Sequence, residues 1–109
     1  MLMNNNISSE SLGIDKQLHF YVKRLYSLLT SYKVVMTKNG TRSSQFTITT
    51  NIISTVLTGY PKLPEDTFSI LEKCKPIFQR LYENKQINLT FVQMEMIDND
   101  RVLFHVKSN

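Results

Sequence analysis

The chain predicts an α+β fold: two helix-plus-β-hairpin units, α-β-β-α-β-β, forming an antiparallel sheet with the helices packed on one face. Three observations carry this expectation. Leu18, Val22, Leu25, Leu29 and Tyr32 recur at three and four residues, the spacing of one helical stripe. Asn39-Gly40 and Asp98-Asn99-Asp100 are turn sequences set between runs of alternating apolar residues. Pro64, Glu65 and Asp66 open a second helical pattern with a proline at its first position and acid in its first turn, both favourable there.

Residues 1–12 are polar and aperiodic, with Asn4, Asn5, Asn6, Ser8, Ser9 and Ser11, and read as a flexible arm before a single domain over 13–109. Asp15 stands where it can cap the first helix. Lys16, His19, Lys23 and Ser27 fall on the side away from the stripe, while Phe20, Tyr21 and Leu28 widen the apolar region beyond one core-facing band. Residues 33–37 are a short β-branched strand that should pair, through the Asn39-Gly40 turn, with 45–50, where Phe46 and Ile48 alternate with Thr47 and Thr49.

Over 51–60 two readings stand side by side. Asn51 as N-cap, Gly59 as C-cap and the spacing of Ile52, Ile53, Val56 and Leu57 fit a helix; the β-branched composition equally fits a continued strand. In the second long helix Ile70, Cys74, Ile77 and Leu81 mark the expected buried side, and Pro76, which lacks a donor and clashes with the carbonyl four residues back, predicts a bend near Glu72. A three-residue loop at 98–100 sets Met96 against Val102, Met94 against Phe104 and Val92 against Val106, which makes one face of the last hairpin apolar. The tripeptide Arg24-Leu25-Tyr26 recurs as Arg80-Leu81-Tyr82 near the end of the second helix, so the two halves can be read as duplicated units.

Composition narrows the function classes. With 109 residues, 41% hydrophobic and 20% charged, the chain is long enough for one core and too apolar for disorder. It contains no run of the roughly 18 apolar residues that a membrane span needs, and its first ten residues have neither a basic nor an apolar signal region, so an intracellular location, cytoplasmic or nuclear, is expected. Cys74 is the single cysteine, which agrees with a reducing compartment and leaves no disulfide framework. The N-x-S/T triplets at Asn6, Asn39 and Asn88 are then chance occurrences.

Catalytic and metal constellations are sparse. His19, His105 and Cys74 make no tetrahedral zinc set, and Asp98-Asn99-Asp100 lacks the further ligands and the glycine of a calcium loop. The three glycines, at 13, 40 and 59, never cluster into a phosphate loop. Glu95 and His105 should stand diagonally on the outer face of the last hairpin, near enough for an acid/base pair yet ordinary as surface neighbours. Cys74 falls on an apolar helix side, where cysteine is usually an inert small hydrophobe. No catalytic residue, metal, cofactor or small-molecule substrate is therefore assigned.

The expected function is a non-enzymatic protein-interaction module, a homodimer or a subunit of a larger assembly. With one face of the last hairpin committed to the core, Phe91, Ile97 and Leu103 remain on the other, and with Phe20 and Tyr21 they form the expected partner contact. The alternative is nucleic-acid binding, favoured by the net charge of +4. Its residues would be Lys38 and Arg42 at the first hairpin tip, Lys16, Lys23 and Arg24 on the helix, and Arg101, His105 and Lys107 beside Phe91 as a stacking platform.

Overall fold

The computed structural model describes residues 16–33 and 45–108. Helix α1 covers 16–33, strand β1 Gln45–Thr49, helix α2 Thr50–Thr58, helix α3 Pro64–Glu83, strand β2 Leu89–Ile97 and strand β3 Arg101–Ser108. Among the described residues, three helices thus accompany a three-stranded antiparallel sheet of order β1-β3-β2. The α+β class and the antiparallel pairing match the sequence reading. The order does not: it is α-β-α-α-β-β rather than α-β-β-α-β-β.

The first half departs from the expected hairpin at both ends. Lys33, assigned to a strand, is helical and belongs to α1, and the rest of that strand, the Asn39-Gly40 turn, Asp15 and the arm 1–12 lie outside the described residues. Strand β1 exists as read, but it pairs with β3, Phe46 opposite Phe104 and Ile48 opposite Val102. The chain then turns directly into α2, which resolves the ambiguity over 51–60 as a helix. The Thr49 hydroxyl accepts from the Ile52 N–H at 3.3 Å and so caps α2 two residues before the expected Asn51. At the other end Gly59 takes a φ of 92° and donates its N–H to the Thr55 carbonyl, a left-handed C-cap that glycine adopts without strain. These two caps, with Ile53, Ser54 and Leu57 buried on one side, outweigh the β-branched composition.

Helix α3 starts at Pro64 as read and continues unbroken through Pro76, whose ring is exposed. Its buried residues are Thr67, Leu71, Cys74, Ile77 and Phe78; Ile70 and Leu81, expected inside, are only partly covered because the stripe is centred one position over. The hairpin β2–β3 turns through Asp98 and Asn99, both at positive φ, where Asp and Asn are among the residues best tolerated, and pairs Met96 with Val102 and Met94 with Phe104. Below that level the expected register fails. A β-bulge at Val92 shifts the ladder, so Phe91 rather than Val92 opposes Val106.

One core joins all three helices to one face of the sheet. Val22, Leu25 and Leu29 of α1, Ile53 and Leu57 of α2, and Leu71, Cys74, Ile77 and Phe78 of α3 pack with Phe46, Ile48, Phe91, Val102, Phe104 and Val106. Its aromatic spine runs Tyr26–Phe78–Phe91–Phe104–Phe46–Tyr32, with ring centroids 5.1 to 6.4 Å apart. The suggested duplication finds no architectural counterpart: α3 is followed by a hairpin, whereas β1 leads into a helix. The repeated tripeptides also sit differently, Leu25 fully buried and Leu81 only partly.

Candidate docking faces

Alternation along β3 decides which side chains reach the outer face of the sheet. Val102, Phe104 and Val106 enter the core, so Arg101, Leu103 and His105 take the opposite side. Pairing places them in cross-strand rows: Thr49, Arg101 and Ile97; Thr47, Leu103 and Glu95; Gln45, His105 and Gln93. Leu103 is the centre of the middle row and Ile97 stands diagonally beside it. Neither belongs to the core or packs against it. The face therefore has a small apolar centre inside a border of threonine, glutamine and charged side chains, including the exposed Arg101–Asp98 pair at its turn end.

The five expected contact residues separate. Leu103 and Ile97 hold their expected place, each half-buried among sheet neighbours. Phe91 does not: it is 0% exposed, clamped between the Phe78 and Phe104 rings, because the bulge rotates it inward. Tyr21 is half-buried against the core from α1. Phe20, 49% exposed, lies on the solvent face of α1 with the Arg24 guanidinium 4.3 Å from its ring centre. Sequence reasoning missed Val92, which the bulge leaves 44% exposed. It borders a shallow recess with Gln79, Tyr82, Glu83, Thr90 and Lys107, where the buried Thr90 hydroxyl has no hydrogen-bond partner.

The expected nucleic-acid residues do not converge. Lys38 and Arg42 lie outside the described residues. Lys16, Lys23 and Arg24 share the exposed face of α1, and Arg24 Nη1 donates to the Val56 carbonyl in the last turns of α2 at 3.0 Å. Arg101 and His105 occupy the sheet's outer face, whereas Lys107 reaches α3, with its Nζ 5.8 Å from the Tyr82 ring centre. With Phe91 in the core, the stacking platform expected beside His105 has lost its ring.

Glu95 and His105 stand diagonally, since Glu95 opposes Leu103 and His105 opposes Gln93. Among the described residues no group of three His, Cys, Asp or Glu could hold a metal ion, and no helix is long and apolar enough to cross a membrane. Cys74 is fully buried, and burial pushes its thiol up from 9.0 to about 12. An acid whose folded pKa is raised gives stability that is complete below its unfolded value and lost as pH climbs toward the folded one. Unfolding free energy should therefore decline between about pH 9 and 12, and a Cys74→Ala variant should show a shallower decline in that window. Native protein should also resist iodoacetamide until denaturant opens the core; rapid native alkylation would contradict this burial.

No family model matches the chain, and no curated protein and no solved structure matches it either.

Proposed function

We propose that the protein is a small, non-enzymatic interaction module that docks a protein, a second copy of itself or a subunit of a larger assembly, through the outer face of its C-terminal hairpin. The observation that supports this reading is the place of Leu103. It sits mid-strand in the central strand of the sheet, with Ile97 beside it, and on that face it contributes nothing to the core. Removing such apolar area from water contributes about 25 cal/mol per Å² to association, whereas leaving it wet contributes nothing to folding. The polar border of Thr47, Thr49, Gln93 and Glu95 matches the rim of an interface that forms and dissociates.

Leu103→Lys tests it, because the new ammonium faces Glu95 and leaves the hairpin intact while charging the centre of the contact. Light scattering over a concentration series should show association in the parent and a monomer in the variant, with thermal midpoints that agree. For a hetero-partner, a photo-crosslinker placed at position 103 should capture a defined species in cells that the same group at Gln17 does not. A parent that stays monomeric, together with identical crosslinking from both positions, rules the reading out.

A further inference from the structure

The chain's positive excess is concentrated in one helix. Of its thirteen Lys and Arg residues four lie in α1, Lys16, Lys23, Arg24 and Lys33, where there is no Asp or Glu; the nine that remain are balanced by the chain's nine acidic residues. Lys33 turns to the sheet and donates to the Ser108 hydroxyl at 2.8 Å. The other three share an exposed stripe with Phe20, Ser27 and Ser31. We infer that this stripe is a docking surface for the phosphodiester backbone of nucleic acid, on a different face of the molecule from the sheet surface proposed above and independent of it.

The geometry favours a regular polyanion. Lys16 and Lys23 are seven residues apart, about 10.5 Å along a helix axis. Cations that far apart contact separate phosphate groups, so a polymer of phosphates suits them better than a single anion. Between them and Ser27 the Arg24 guanidinium is held in place, lying over the Phe20 ring and bonded to the Val56 carbonyl. A fixed fork with donors to spare contacts a phosphate oxygen with little further loss of side-chain freedom. The groove beside it, between α1 and α2, is lined by Lys23, Arg24, Ser27, Leu28, Ser31 and Val56. Hydroxyls and cations of this kind position a protein on a backbone without reading bases. A bilayer surface is a poorer match, because the apolar stripe of α1 is spent on the core and only Phe20 is left to insert.

Fluorescence anisotropy with a labelled duplex and a labelled single strand tests the inference. With three cations engaged, duplex affinity should fall about forty-fold between about 50 and 200 mM salt, the slope near −0.9 per contact. Lys16→Glu with Lys23→Glu changes only exposed side chains, so circular dichroism and the thermal midpoint should hold while affinity at low salt drops at least about ten-fold. A neutral change on the exposed side of α3, Ser69→Ala, should leave oligonucleotide affinity unchanged, and light scattering of the Lys16→Glu/Lys23→Glu variant reads sheet-face association separately, which tells a failure here from a failure of that reading. Three results overturn the inference: no binding of either oligonucleotide at about 50 mM salt, undiminished binding by the double variant, or equal competition from poly-glutamate or phosphatidylserine vesicles at matched charge.

Discussion

Replacing Phe91 by alanine is expected to lower the unfolding free energy by about 3–5 kcal/mol, while Val92→Ala stays within about 0.5 kcal/mol of the parent. The Phe91 ring is fully buried, 5.1 Å from Phe78 and 5.5 Å from Phe104, so its loss opens a void at the junction of α3 with β2 and β3. Val92 is 44% exposed at the bulge and leaves none. An unbulged ladder exchanges the two positions. Urea unfolding of both variants therefore measures the register directly, and a larger loss in Val92→Ala than in Phe91→Ala would falsify the bulge.

The second large effect concerns α2. Ile53→Asp should abolish cooperative folding, since a carboxylate in that fully buried site can neither stay ionised cheaply nor find a partner, while Ile52→Asp should cost under about 1 kcal/mol. A strand would also put these neighbours on opposite sides. Thr55→Lys makes the distinction: a strand sets 53, 55 and 57 on one face, whereas the helix buries Ile53 and Leu57 and exposes Thr55. Wild-type stability in Thr55→Lys, measured by thermal unfolding, is the expected result; collapse of that variant would restore the strand.

What could be read from residues was what local patterning determines. The stripe of α1, the proline and acids that open α3, and the three-residue turn of the last hairpin each depend on neighbours a few positions away. Two features were out of reach for a different reason. The partner of β1 is fixed by contacts across more than fifty residues, Phe46 with Phe104 and Ile48 with Val102, to which no local motif points. The choice between helix and strand at α2 was decided by the Thr49 hydroxyl and the Gly59 conformation against the propensity of its β-branched residues.

The bulge was legible in principle. Leu89 and Phe91 alternate in one phase and Met94 and Met96 in another, and a single skipped residue is what lets all four face the core. An unbroken register from the turn downward puts Val92 inside and Phe91 outside, and makes the candidate contact too large by one aromatic ring. Leu103 and Ile97 were placed rightly because they lie between the turn and the bulge, where the turn length alone determines facing.

Because β3 lies between β1 and β2 yet follows both in the chain, neither of the earlier strands has a described neighbour to bond with until it is made. During synthesis, the described elements that precede the turn are helices and two ribbons without their β3 partner, so Phe46, Ile48 and Phe91 lack the cover they have in the finished core. A stop codon within the Asp98-Asn99-Asp100 turn would thus remove not one strand of three but both ladders of the described sheet.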